Sequence, residues 1–141
     1  MFKAAVLSIL LLVTTAVQAE VKVSDAWARE TVPGQDISAA YMTLKSSEYS
    51  KLFYVESPSA GSVEIHTMTM NDGVMKMRML EELELKPNEA AKLAPGGFHL
   101  MLFNLKAPLE AGNQVKFTLC FKDKAGKITH QDITVPVKAP K

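Results

Sequence analysis

A single cysteine, Cys120, is all the thiol chemistry in this chain of 141 residues. One thiol cannot close an intramolecular disulfide or run two-thiol exchange. Its surroundings, Phe117-Thr118-Leu119-Cys120-Phe121, read as a strand, where a lone cysteine behaves as a small buried hydrophobe. Concentrated charge is also missing: 16 basic residues, one of them Lys3, stand against 15 acidic ones with no basic block. This argues against nucleic acid and against an anionic membrane surface as partners. The chain lacks a Gly-x-Ser-x-Gly elbow, a Cys-x-x-Cys pair and a phosphate-binding glycine loop, so it carries none of those enzyme signatures. Internal repeats, low-complexity segments and domain-dividing linkers are absent too.

Apolar runs of any length occur only at the start. Met1-Phe2-Lys3 is a short basic opening, residues 4–13 are apolar but for Ser8, and Val17-Gln18-Ala19 offers a small-x-Ala exit. That is the layout of a secretory signal peptide. Thr14, Thr15 and Gln18 interrupt the run too early for a spanning helix, which needs about 20 apolar residues. The expectation is export with loss of residues 1–19, leaving residues 20–141 as one domain that is not inserted in a membrane. A mature chain of this length can bury a core without covalent staples.

Beyond the leader, long helical periodicity gives way to short β-type runs. Strands are expected over residues 21–28, 39–45, 52–56, 62–70, 74–80, 90–93, 98–104, 114–121 and 128–135. Between them stand Pro33-Gly34, Ser57-Pro58, Asn71-Asp72-Gly73, Lys86-Pro87-Asn88, Pro95-Gly96-Gly97, Gly112-Asn113 and Lys124-Ala125-Gly126. Glycine supplies positive φ, proline fixes φ, and Asn or Asp tolerates left-handed backbone, so these segments read as turns. Many short strands at close spacing indicate an all-β fold, an antiparallel sandwich or Greek-key barrel.

Methionine is what the chain has in excess, with five of eight lying between Met68 and Met79. They flank Asp72-Gly73, a strong hairpin signal. With those two residues at the centre of the turn, Met68 lies opposite Met77 and His66 opposite Met79, and His66 and Met77 become diagonal neighbours. Strand parity puts His66 on the face of Glu64, away from Val63 and Ile65. In Phe98-His99-Leu100-Met101-Leu102, the same parity sends His99 and Met101 out together, opposite an apolar row. His66, Met77, His99 and Met101 could therefore form a four-coordinate cup from two adjoining edges.

The donor types select the metal. Thioether sulfur is soft and uncharged and suits copper(I), while imidazole is borderline. Zinc sites favour thiolate, imidazole and carboxylate, and a His₂Met₂ set has no anionic member. Thioethers also escape the disulfide chemistry of oxidising compartments, in keeping with export. Taken singly, a strand histidine is more often exposed or hydrogen-bonded than a ligand, and a methionine is more often core filler. Met42 is read as filler, and Met75 and Met79 could be; Met68 and Met70 could form an outer shell or hydrophobic rim. His130 has no such neighbours in sequence and is read as structural or exposed.

At these residues the chain resembles the PCuAC family of periplasmic copper chaperones. That signature is a His, ten residues, a Met, twenty-one residues, then His-x-Met, and residues 67–76 and 78–98 supply both gaps. Ala26-Trp27-Ala28-Arg29, Ala39-Ala40-Tyr41-Met42-Thr43-Leu44, Ala107-Pro108-Leu109 and Val115-Lys116-Phe117-Thr118-Leu119 extend the likeness along the mature chain. The resemblance implies a cupredoxin-like Greek-key β-barrel that holds one copper(I) per chain in the periplasm. It further implies delivery to the dinuclear CuA centre of cytochrome c oxidase, in subunit II, or to another copper acceptor. Any reductive step would fall to a thiol-containing assembly partner, and the chain is expected to act as a monomer. The ending Val135-Pro136-Val137-Lys138-Ala139-Pro140-Lys141 lacks the His- and Met-rich tail of some relatives, so a second metal is not expected there.

Three rival functions are separable. A blue-copper electron carrier needs Cys, two His and an axial Met, but Cys120 is followed by His130 and by no methionine. An enzyme has no motif to rest on. A copper scavenger for storage or resistance would use the same four side chains, and only the acceptor distinguishes it.

Overall fold

The computed structural model describes residues 20–140; the leader expected over residues 1–19, with its cleavage point, lies outside them. The described residues form β1 (Val21–Arg29), β2 (Ser38–Ser46), β3 (Ser50–Glu56), β4 (Ala60–Asn71), β5 (Val74–Leu80), β6 (Leu83–Leu85), β7 (Ala90–Leu93), β8 (His99–Leu105), β9 (Gln114–Asp123) and β10 (Ile128–Lys138). No helix occurs among them. Nine strands match the runs expected from sequence. The tenth, β6, has too few residues to show a period, yet Leu83 and Leu85 are buried about an exposed Glu84 and the strand pairs with β3.

The strands follow the order β5-β4-β8-β2-β1-β10-β9-β3-β6. One layer is β5-β4-β8-β2-β1 and the other β10-β9-β3-β6. The antiparallel pattern is broken at one seam, where Ala28 and Arg29 of β1 run parallel to Val137 and Lys138 of β10. Side chains alternate across each strand, and the inward rows fill the space between the layers. Met42, Leu44, Leu100 and Leu102 meet Leu52, Phe117, Leu119 and Phe121 there, all essentially sealed from solvent. Met42 is thus core filler, as its sequence setting suggested. Cys120 is buried, though on the other parity from Phe117 and Leu119, between Tyr54 and His130 in the neighbouring strands.

Two local features shape the outer face of the first layer. At the β4–β5 turn, Asp72 (φ 50°) and Gly73 (φ 77°) are both left-handed, the geometry that Asp-Gly hairpins favour. Elsewhere β7 and β8 lie end to end along one edge of β2, pairing with Met42–Lys45 and Ser38–Ala40 respectively. The intervening residues 94–98 therefore loop out of the sheet and return to it. Gly96 takes φ 87° in this excursion, and Ala94 N–H donates to the Phe98 carbonyl at 3.0 Å.

Candidate metal centre

The outward row of the first layer reads, from β1 to β5, Trp27, Tyr41, His99, His66, Met79. Trp27 pairs with Tyr41, His66 with His99 and His66 with Met79. The two histidines stand directly opposite each other in adjacent strands, with ring centroids 5.8 Å apart. This is closer than the adjoining edges expected from sequence, because β4 and β8 are neighbours in one sheet. The hairpin register agrees residue by residue: Met68 faces Met77 and His66 faces Met79. Met101 lies one outward position from His99 along β8, opposite Glu64.

Burial divides the four residues. His99 is only 5% exposed although it points away from the core, since the outer face is covered here. Tyr41 lies beside it at 6.5 Å between ring centroids. Gln35 and Ile37 of the β1–β2 connection and Pro95 and Gly96 of the looped-out segment line the same cavity as His99; Thr31 N–H donates to the Leu109 carbonyl and Leu109 N–H to Thr31 Oγ1, each at 2.9 Å. His66 is largely buried, its side chain 13% exposed, and Met77 is 54% exposed. Met77, His99 and Met101 share the wall of one cavity of about 300 Å³ with Met68, Tyr41 and Arg29. His66 is not on that wall; its ring adjoins that of His99.

Hydrogen bonding fixes which ring nitrogens are free. His99 Nδ1 lies 2.9 Å from the Gly97 carbonyl. A carbonyl only accepts, so Nδ1 carries the proton and Nε2 keeps its lone pair. His66 Nε2 lies 2.8 Å from Glu64 Oε2; with the carboxylate as acceptor, Nε2–H donates and Nδ1 holds the lone pair. That Nδ1 is buried and has no hydrogen-bond partner, an uncommon state for a buried polar atom. Two imidazole lone pairs and two neutral thioethers thus gather on one face. Hard donors do not: no group of three or more His, Cys, Asp or Glu able to hold a metal ion occurs among the described residues.

Glu64 and the Gly97 carbonyl had no assigned role in the sequence reading. Each orients an imidazole through its second nitrogen, the usual arrangement around metal-bound histidine. Glu64 had a visible signal, two residues before His66 on the same face; the Gly97 carbonyl had none. His130 is exposed, 3.9 Å from Cys120 Sγ through Nδ1 and in the second layer. Burial raises the Cys120 thiol above its ordinary value, with help from Glu56 and Asp132, so it stays protonated at neutral pH.

A PCuAC-type architecture is what the all-β topology defines, and comparison with known proteins agrees. Residues 21–137 match the family described as "Putative lipoprotein LpqE-like". A "Putative lipoprotein" of Leifsonia xyli subsp. xyli is 34% identical over 121 residues, covering 84% of this chain and 69% of that protein. The apo PCuAC domain from PmoF1 superposes with a TM-score of 0.69 at 28% identity, over 88% of this chain and 98% of that one. The copper(I) form of DR1885 from Deinococcus radiodurans gives 0.62 at 32% identity, over 80% and 74%. The chain belongs to the LpqE-like family, and its fold is the cupredoxin-like one of PCuAC domains.

Proposed function

We propose that this protein is an exported copper(I) chaperone whose cargo is held by His66, Met77, His99 and Met101. The buried, unpartnered Nδ1 of His66 beside His99 carries the reading. An imidazole lone pair sealed from water without a donor costs free energy, and a soft cation at that position removes the cost. The two thioethers supply soft donors without charge, so the filled site with copper(I) is a monocation, which a half-open protein surface tolerates. Glu64 then lies within reach as the counter-charge.

The copper(I) form of a relative with the same fold supports one copper(I) as cargo, and the lipoprotein descriptions of relatives support export. No helix among the described residues is long and apolar enough to cross a membrane. Half-exposed Met77 is the donor best placed to let go. A partner supplying its own ligand can enter there while His99 stays anchored to Gly97, and such stepwise exchange suits delivery better than storage. We assign delivery to an extracytoplasmic acceptor such as the CuA centre of cytochrome c oxidase. The second reading, a scavenger, shares the site; it would be favoured if deletion left oxidase assembly normal under copper limitation and made cells copper-sensitive.

Copper(I) titration of the mature chain against a chromogenic chelator tests the site. One equivalent should bind, and His66→Ala, Met77→Ala, His99→Ala and Met101→Ala should each weaken it. Undiminished binding in two or more of these variants contradicts the assignment.

A further inference from the structure

The β4–β5 hairpin runs past the rest of its layer. The last pair that β4 makes with β8 is His66 with His99, whereas its pairing with β5 continues through Met68–Met77 and Met70–Met75 to Asn71–Val74. Residues 67–78 are thus a two-stranded ribbon. Alternation sorts its side chains: Met68, Met70, Met75, Met77 and Met79 fall on one face, Thr67, Thr69, Lys76 and Arg78 on the other. The methionine face is the face of His66.

These methionines do not fill a core. Met70 is 68% exposed and Met75 44%, and an isolated ribbon gains nothing from thioethers in water. Lys76 and Arg78 lie on the opposite face and Asp72 sits in the turn, so the methionine face presents sulfur without charge. Directly opposed residues bring their Cβ atoms to about 5 Å and diagonal ones to about 7–8 Å. Three freely rotating bonds per methionine let sulfurs converge across those spacings. Met68 also lines the cavity shared by Met77, His99 and Met101, so the outer thioethers and the inner set are continuous.

We infer that Met68, Met70 and Met75 form a second, weaker site for copper(I), a three-thioether port through which the ion enters and leaves the His66–Met77–His99–Met101 cup. Three neutral soft donors select a soft monovalent ion and reject hard divalent ones. Passage inward is ligand exchange: bonds to Met70, Met75 and then Met68 break as bonds to Met77, Met101 and the two imidazole nitrogens form. The ion remains copper(I), and no electron or proton moves. This port rests on the reading of the cup as a copper(I) site.

The test uses the mature chain labelled with ¹³C at the methionine methyls and titrated with silver(I), a soft, air-stable monovalent probe. The first equivalent should shift the Met77 and Met101 methyls. The second should shift Met68, Met70 and Met75, while core Met42 stays fixed throughout. The double variant Met70→Leu/Met75→Leu keeps apolar volume at exposed positions, so it should retain the first step and lose the second. Met70 and Met75 methyls unmoved by two equivalents, or a second step surviving in the double variant, would overturn the port and mark the ribbon as an apolar rim only. Failure of the cup reads differently: Met77 and Met101 would not respond to the first equivalent.

Discussion

In the proposed centre, two hydrogen bonds leave one nitrogen of each histidine ring open to a metal. Glu64 takes His66 Nε2 at 2.8 Å, which leaves the buried Nδ1 without a partner; on the other strand the Gly97 carbonyl does the equivalent for His99. Removing an orienting partner of a ligating histidine costs about 10–100-fold in metal affinity. Glu64→Gln keeps the shape but weakens the acceptor and removes the counter-charge, so chelator competition should show copper(I) binding about 10-fold weaker at unchanged stoichiometry. Unaltered affinity would mean that Glu64 has no part in setting the ring. The histidines themselves were legible in the sequence because their spacing to Met77 and Met101 is distinctive. The burial of His99 was not, since its surroundings include Tyr41, Gln35 and Ile37, far away in sequence.

At the scale of elements, the hairpin and the looped-out segment set the site. Period-2 alternation and one Asp-Gly turn determine which residues of β4 face which residues of β5, and the observed pairs Met68–Met77 and His66–Met79 follow. Gly73 holds φ at 77°, a region that costs a residue with a side chain about 1 kcal/mol or more. Gly73→Ala should therefore lower unfolding free energy by about 1 kcal/mol in urea titration, and an unchanged midpoint would show that the turn relaxes freely. Two things at this scale could not be read from local pattern. The strand β6 is too short to show a period, and the tandem placement of β7 and β8 on β2 turns Pro95-Gly96-Gly97 from an ordinary hairpin turn into a loop over the outer face.

For the molecule as a whole, a two-layer core lets the outer face of one layer carry chemistry. Val63, Ile65, Leu100 and Leu102 are buried between the layers, and the residues alternating with them, Glu64, His66, His99 and Met101, are held on a surface the core makes rigid. The all-β class was legible from the density of short strands and turns. Which strands become neighbours was not, because pairing between β4 and β8 joins residues 33 (His66–His99) to 45 (Ala60–Leu105) positions apart, and only tertiary packing decides it. That pairing turns two His-Met pairs into one candidate centre. X-ray absorption at the copper edge on the mature chain loaded with one equivalent of copper(I) reads the donor set without reference to any variant. The proposed centre requires two sulfur and two nitrogen scatterers around the ion; a shell of nitrogen and oxygen alone, with no sulfur, would contradict it.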